Sequence, residues 1–150
     1  MRAVIQRVSE ASVTIDGKVT AQIGIGLLVL LGIEEQDVQK DIDYLVRKII
    51  PMRIFSDSEG KMNLSVQDID GDILVISQFT LFASTKKGNR PGFSRAAKPE
   101  TAVPLYEIFL YDLNVFFGKK IYAGTFGADM KISLLNDGPV TIICDSWHPE

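Results

Sequence analysis

The five consecutive residues Leu27-Leu28-Val29-Leu30-Leu31 are all apolar. A strand with one solvent-facing side alternates apolar and polar residues, so a strand without this alternation must be covered on both faces. The surrounding apolar stretch, Gly24 to Ile33, is too short to cross a bilayer as a helix. The run therefore predicts a central β-strand, and the fold must supply enough other elements to cover both of its sides.

Further strand patterns precede and follow this central strand. Asp16-Gly17 separates the runs Ala11 to Ile15 and Val19 to Ile23, and Asp-Gly between apolar-rich runs is a strong hairpin signal. The remaining predicted strands are Val4 to Val8, Met52 to Phe55, Asp72 to Leu81, Ile121 to Ala123, Met130 to Leu135 and Val140 to Asp145.

Two segments have the periodicity of amphipathic helices. The first runs from Asp37 to Ile50, with Asp37 as its N-cap and Pro51 as its stop. The second runs from about Thr101 to Phe117, with Pro104 in its first turn. Its predicted inward residues are Ala102, Leu105, Phe109, Leu113 and Phe116, and Gly118 follows as the C′ residue.

The order of these elements lacks the regular βαβ alternation of a doubly wound sheet. We therefore expect an α+β fold, in which curved, mostly antiparallel β-sheets form a barrel-like core and two main helices pack on one side. A length of 150 residues fits one domain over 1–150. The N-terminal residues have no apolar signal segment, so neither targeting nor membrane insertion is expected.

The chain has one histidine and one cysteine, which limits the chemistry available to it. His148 lies in the tail and Cys144 in the apolar stretch Val140 to Cys144, which we interpret as a buried strand. With one histidine and one cysteine, the chain is not expected to form a zinc site from these ligands or to use Ser-His-Asp or Cys-His catalysis. A cysteine hydrolase centred on Cys144 is the weakest alternative, and a single reduced thiol fits a cytoplasmic location.

The net charge of -3 hides a local excess of positive charge. Between Ile73 and Pro99 there is no Asp or Glu. Residues 82–98 are predicted to form a long exposed loop. A solvated loop and a phosphate-binding loop explain this pattern about equally well. The basic residues of the segment are Lys86, Lys87, Arg90, Arg95 and Lys98.

Two short motifs add polar groups at the ends of predicted strands. Ser77-Gln78-Phe79-Thr80-Leu81 stands where the apolar strand meets the basic loop, and Asn136-Asp137-Gly138-Pro139-Val140-Thr141 separates the last two strands. Taken alone, the first is an ordinary strand end and the second an ordinary turn.

Together the two motifs resemble the signatures of the D-aminoacyl-tRNA deacylase family, also called the D-tyrosyl-tRNA(Tyr) deacylases. The residues 1–8 (Met-Arg-Ala-Val-Ile-Gln-Arg-Val), 26–33 (Gly-Leu-Leu-Val-Leu-Leu-Gly-Ile) and 90–93 (Arg-Pro-Gly-Phe) are similar to that family too. The resemblance therefore extends over the whole chain.

The resemblance implies an enzyme that hydrolyses the ester joining a D-amino acid, or glycine, to the 3′ end of tRNA. It implies a homodimer with active sites at the interface, and nothing in the sequence demands a cofactor or a metal. In this arrangement the catalytic segment Ser77, Gln78, Phe79 and Thr80 of one subunit faces Gly138 and Pro139 of the other. The Gly138-Pro139 bond is expected to be cis, with Arg7 bracing the pair across the interface.

The resemblance also implies roles for other residues. Ala102 is implied beside the pocket, and Phe79 and Met130 are implied to line it for the terminal adenine. The tRNA acceptor stem would contact Lys86, Lys87, Arg90 and Arg95.

The implied mechanism uses no titratable side chain. Backbone N–H groups around Phe79 and Thr80 would stabilise the oxyanion, and the ribose 2′-hydroxyl of the terminal adenosine would activate the attacking water. In a competing mechanism the Thr80 hydroxyl is a nucleophile that forms an acyl-enzyme. Two other functions remain open: a non-catalytic tRNA-binding dimer, and a sister deacylase with a trans Gly-Pro bond that acts on L-aminoacyl-tRNA.

Overall fold

The chain folds around one long N-terminal strand, as seen in a computed structural model that describes residues 1–149. This strand, β1, is the only one that pairs with three others within these residues. The elements are β1 (Arg2–Ile15), β2 (Lys18–Ile23), β3 (Gly26–Gly32), α1 (Gln39–Ile49), β4 (Phe55–Ser56), β5 (Met62–Leu64), β6 (Asp72–Ser77), a 3-10 helix (Phe79–Phe82), α2 (Pro99–Phe117), β7 (Ile121–Ala123) and β8 (Lys131–Asp145).

The main sheet is mixed and nearly closes into a barrel. On one edge β1 pairs antiparallel with β3 and then with β2, and on its other edge it pairs antiparallel with β8. β3, β6 and β7 continue the sheet in parallel, and the crossovers between them contain α1 and α2. β2 curls back to contact β6 and β7. The expected α+β fold, with a barrel-like sheet and two helices, is confirmed.

The central strand β3 separates two apolar cores. Leu27 and Val29 face a core that the helices cover, and Leu28 faces a second core inside the curled sheet. All three side chains are at most 1% exposed, which confirms the prediction of a strand covered on both faces. Complete burial of each such side chain stabilises the fold by about 1.5–3 kcal/mol.

Both helices differ in detail from the prediction. α1 begins at Gln39, and its N-cap is Val38 rather than Asp37. The side chain of Asp41 accepts a hydrogen bond from the Val38 N–H at 2.9 Å. Asp37 is instead buried, and its carboxylate accepts hydrogen bonds from the Met1 ammonium group and the Trp147 indole. Long-range partners of this kind leave no trace in local sequence.

The second helix begins at Pro99, two residues earlier than predicted, so Pro104 lies in its second turn. Phe116, which was predicted to face inward, is 58% exposed, and Phe117 is buried instead. The spacing of an α-helix explains the difference, because Phe117 continues the inward stripe one turn beyond Leu113. The buried stripe of this helix consists of Ala102, Tyr106, Phe109, Leu113 and Phe117.

Several strand boundaries also needed correction. β1 is continuous across the two predicted N-terminal strands, and the predicted strand Met52 to Phe55 is reduced to β4, which pairs with the unpredicted β5. β6 ends at Ser77, and the chain then enters a 3-10 helix instead of continuing as a strand to Leu81.

The C-terminal strand shows the largest departure from the prediction. β8 is one strand, and Asn136 to Pro139 lie within it, where its register against β1 shifts. Among residues 1–149, β8 pairs with β1 alone. The stretch Val140 to Cys144 is therefore only partly buried: Val140, Ile142 and Cys144 pack against the core, whereas Ile143 is 68% exposed. Within residues 1–149, neither helix is sufficiently long and apolar to cross a membrane.

Candidate active site

A cavity of about 330 Å³ opens at the carboxyl end of β6. It brings together five residues that were singled out from the sequence, contributed by three parts of the chain. Ligand sites of α/β sheets commonly lie at the carboxyl ends of parallel strands. The five residues are Ser77, Gln78, Phe79, Ala102 and Met130.

The chain changes from strand to helical turn at the end of β6, where Phe79 lines the cavity and Thr80, the next residue, does not. The Gln78 N–H donates to the Leu31 carbonyl oxygen at 2.7 Å, which extends the β3–β6 ladder by one residue. Phe79 and Thr80 then form the start of the 3-10 helix. The N–H groups of a first helical turn have no acceptor inside the helix. The amides of Phe79 and Thr80 are therefore suited to bind an anionic oxygen.

The side chains beside these amides are polar but uncharged. The Gln78 amide group donates a hydrogen bond to the Thr80 hydroxyl, and Thr80 is exposed. Among the described residues that line the cavity, Asp129 is the only titratable one. Asp129 lies at the surface, where Lys131 pairs with its carboxylate at 3.0 Å.

The opposite wall of the cavity was not predicted from the sequence. It is formed by Phe126, Gly127 and Ala128, which precede Met130. The Met130 sulfur lies so close to Gly124 that a Cβ atom on this glycine would be 2.4 Å away. The only sequence signal for this wall is the segment Gly124 to Ala128, which lies between two strands and has one glycine on each side of Phe126.

Tyr106 supports this wall from behind. Its hydroxyl donates to the Val75 carbonyl oxygen at 3.2 Å, and its ring lies 5.8 Å from that of Phe126, measured between centroids. Burial raises the pKa of Tyr106 well above its ordinary value, so the side chain remains a neutral hydrogen-bond donor at physiological pH.

The Gly138-Pro139 bond is cis, as the family resemblance implies. Asn136 holds the surrounding segment, since its Oδ1 accepts from the Val140 N–H at 2.9 Å and its Nδ2 donates to the Thr141 hydroxyl at 3.2 Å. These contacts explain why the motif carries polar residues at its first and last positions. Gly138 and Pro139 are exposed and do not line the cavity of their own chain.

Arg7 lies beneath this motif. Its Nε donates to the Asp137 carbonyl oxygen at 2.9 Å, and its Nη1 donates to the Ile54 carbonyl oxygen at 2.6 Å. The structure thus places Arg7 against the Gly-Pro segment of its own chain. The bracing contact across an interface stays a prediction.

The basic segment divides into free and paired charges. Lys86, Lys87 and Arg90 are exposed. Arg95 instead donates to both carboxylate oxygens of Glu34, at 2.7 and 3.2 Å, and lies over the Phe82 ring. The hydrogen bonds to Glu34 raise the pKa of Arg95. The Arg95 charge is therefore already neutralised, unlike those of the other three predicted tRNA contacts.

Comparison with known proteins identifies the family. The family model described as D-Tyr-tRNA(Tyr) deacylase matches residues 4–145. The chain belongs to the D-Tyr-tRNA(Tyr) deacylase family. Similar curated proteins include D-aminoacyl-tRNA deacylases of Flavobacterium johnsoniae, at 64% identity, and Bacteroides thetaiotaomicron, at 61%. Both alignments cover 150 residues and all of each protein.

Two solved structures resemble the chain as well. The c-Myc DNA Unwinding Element Binding Protein shares 45% identity and a TM-score of 0.91, over 97% of this chain and 98% of that one. A probable eukaryotic D-amino acid tRNA deacylase shares 18% identity and a TM-score of 0.82, over 95% and 97%. The second likeness supports the fold alone. Membership of the D-Tyr-tRNA(Tyr) deacylase family makes the chain a hydrolase, as the resemblance implied.

The alternative site around Cys144 does not fit the chemistry of this deacylase family. The tail brings His148 to a second cavity, of about 470 Å³, that Cys144 also lines. No hydrogen bond joins the two side chains in the part of the chain that is described. Burial raises the pKa of the Cys144 thiol, which opposes the thiolate that a cysteine nucleophile requires.

Proposed function

We propose that this member of the family hydrolyses D-aminoacyl-tRNA, and glycyl-tRNA, to the free amino acid and tRNA. The observation that carries the proposal is the cavity at the end of β6, where the Phe79 and Thr80 amides begin a helical turn beside an apolar wall. The names of the similar curated proteins support the same substrate class. Action on aminoacyl-tRNA would place the enzyme in the cytoplasm.

The proposed active form is a homodimer. β8 is an edge strand whose apolar side chains include Leu135 and Ile143, which are 58% and 68% exposed. Unpaired strand edges with exposed apolar groups favour association with another chain. In the dimer, Gly138 and Pro139 of the second subunit would cover the cavity, which explains why both are exposed in one chain.

This closure would account for selection by chirality. The carbonyl groups of Gly138 and Pro139 would hold the α-ammonium group of the substrate and so fix the amino acid at its Cα atom. A wall placed where an L side chain points then excludes every L-amino acid, whereas a D side chain points away and glycine has none. Such exclusion at a separate hydrolytic site supplies discrimination that a synthetase binding pocket lacks.

The proposed chemistry is a water attack assisted by the substrate. The ribose 2′-hydroxyl of the terminal adenosine orients a water molecule and relays its proton. It accepts a proton from the water as the water oxygen adds to the ester carbonyl carbon, and it gives its own proton to the neighbouring 3′-oxygen. The resulting oxyanion accepts hydrogen bonds from the Phe79 and Thr80 amides, and each such donor contributes about 3 kcal/mol in known oxyanion holes. Collapse of the intermediate breaks the bond to the 3′-oxygen, which receives the proton.

Hydrolysis and binding are separated by one experiment. The purified chain is mixed with D-Tyr-tRNA, and both complex formation and released tyrosine are measured over time. Multiple turnovers support the proposal, whereas stable binding without release supports the non-catalytic tRNA-binding dimer. A second substrate, whose terminal adenosine lacks the 2′-hydroxyl and carries the amino acid at the 3′ position, tests the mechanism. We expect its turnover to fall by about 10²–10⁴-fold, the range of general acid–base assistance.

A further inference from the structure

Two exposed phenylalanine rings meet at the rim of the cavity. Phe79 and Phe93 are 5.1 Å apart between ring centroids, with an interplanar angle of 71°. They are 56% and 38% exposed, respectively. We call Phe79 and Phe93 the aromatic pair. Because Phe79 also lines the cavity, a ligand that extends out of the cavity on this side passes the aromatic pair. Exposed aromatic groups at a site entrance are typical of ligand-binding surfaces.

The loop that carries Phe93 is held in place by several bonds. Ser84 and Gly92 exchange two backbone hydrogen bonds, at 2.8 and 2.9 Å, which close the hairpin tip. Beyond Phe93, the Arg95 guanidinium makes its two hydrogen bonds to Glu34. Phe93 is therefore presented from a braced loop, and a ligand that contacts its ring need not order the loop first.

Positive charge lies in the hairpin that directly precedes Phe93 in the chain. Lys86, Lys87 and Arg90 are exposed in the hairpin that Ser84 and Gly92 close. Aromatic rings next to unpaired cations are the combination that binds single-stranded nucleic acid, since bases stack on the rings and phosphates contact the cations. A purely apolar partner would gain nothing from these charges.

We propose that Phe93, whose ring packs at an angle against Phe79, is a stacking site for the unpaired nucleotide that precedes the terminal adenosine of the tRNA. This inference rests on the proposed function, because hydrolysis of the ester places the terminal nucleoside in the cavity. The next nucleotide must then cross the rim, where its base stacks on Phe93 and its phosphate lies near the basic hairpin. Every base has an aromatic face, so the site tolerates any base.

The test compares a long and a short substrate. The values of kcat/KM are measured for D-Tyr-tRNA and for the D-tyrosyl ester of adenosine alone, which lacks the preceding nucleotide. The ratio of the two values isolates the contribution of the rest of the tRNA. We expect Phe93→Ala and Phe93→Leu to lower this ratio about tenfold, the usual effect of removing one stacking partner. Phe93→Trp keeps an aromatic face and should preserve the ratio.

The possible outcomes separate the stacking site from a structural role and from the proposed function. Equal losses on both substrates would show that Phe93 only supports Phe79, and an unchanged ratio in Phe93→Ala would also overturn the inference. If the wild-type chain hydrolyses neither substrate, the proposed function fails. Stacking is then read from the affinity of a short single-stranded RNA ending in adenosine. This affinity should fall about tenfold in Phe93→Ala and Phe93→Leu but not in Phe93→Trp, and equal affinities throughout would reject the site.

Discussion

The guanidinium group of Arg7 lies against Gly138, where an added Cβ atom would come within 2.8 Å of Nη2. Arg7 is 9% exposed, and its hydrogen bonds to the Asp137 and Ile54 carbonyl oxygens satisfy much of its buried polar surface. The arginine and the Gly-Pro segment therefore fix each other. This contact explains why a long charged side chain occupies the inner face of a strand.

Replacing Gly138 with alanine should disturb this contact. The backbone of Gly138 has φ = +132°, a region that residues with a Cβ atom rarely occupy. We expect Gly138→Ala to lower the free energy of unfolding by about 1–3 kcal/mol and to reduce hydrolysis of D-Tyr-tRNA further than this instability explains. The matched control is Gly24→Ala, whose Cβ atom meets nothing within 4 Å. Equal stability and turnover in the two variants would contradict the prediction, which denaturant unfolding and deacylation assays would check.

The two arginines of the basic segment, Arg90 and Arg95, should contribute differently to tRNA binding. Arg90 is exposed, so Arg90→Gln should reduce the slope of log affinity for tRNA against log salt concentration by about one. Arg95→Gln should leave this slope nearly unchanged, because Glu34 already neutralises the Arg95 charge. Titrations with tRNA that carries no amino acid, at several salt concentrations, measure both slopes. A larger change for Arg95→Gln than for Arg90→Gln would show that the pairing with Glu34 opens on binding.

Removal of the Thr80 hydroxyl should distinguish the two mechanisms. The Gln78 amide group donates a hydrogen bond to this hydroxyl, but a donor does not activate a nucleophile. We expect Thr80→Ala to retain most of the turnover and Thr80→Ser, the matched control, to behave like the wild type. Loss of the nucleophile from an acyl-enzyme route would instead lower kcat by about 10⁴-fold or more. Single-turnover assays with acid quenching would also reveal any covalent intermediate.

The C-terminal end of β8 should contribute to acid sensitivity. Burial alone raises the pKa of Asp145, but hydrogen bonds from Arg2 and the Trp147 N–H, together with the Arg2 charge, lower it overall. Because the unfolded carboxyl, with a pKa of about 3.9, takes up its proton first, this stabilisation is complete above that pH. It is lost as the pH falls through the lower folded pKa.

The measurement is the free energy of unfolding of the wild type and of Asp145→Asn as a function of pH. The wild type should be the more stable near pH 7, and the difference between the two should shrink below about pH 4. A difference that stays constant down to pH 2 would show that Asp145 contributes no ionisation-linked stability.

Local patterns were sufficient to predict much of the fold and part of the site. The unbroken apolar run of β3 predicted burial on both faces, because side-chain direction alternates along any strand. Ser77, Gln78 and Phe79 follow an apolar strand directly, so their position at its end was readable from the sequence. That Ala102 and Met130 lie in the same site was predicted from the family resemblance, because no local sequence pattern relates these positions.

Contacts between distant residues account for what the sequence did not reveal. Arg95 is one of the predicted tRNA contacts, and its pairing with Glu34, 61 positions away, was not foreseen. Asp37 was interpreted as a helix cap, yet it binds the Met1 ammonium group and Trp147. The apolar side chains of β8 predicted burial, but Ile143 is 68% exposed, and no element within residues 1–149 covers it. Periodicity reports that a residue is apolar and cannot identify which surface covers it.

A matched set of three substrates tests whether the enzyme hydrolyses aminoacyl-tRNA with selection for the D configuration. Initial rates of deacylation are measured for D-Tyr-tRNA, L-Tyr-tRNA and Gly-tRNA, with and without a metal chelator. We expect rapid release from the D-tyrosyl and glycyl esters, while the L-tyrosyl ester should persist at its spontaneous rate. Cleavage of L-Tyr-tRNA as fast as D-Tyr-tRNA would contradict the proposed exclusion at Gly138 and Pro139.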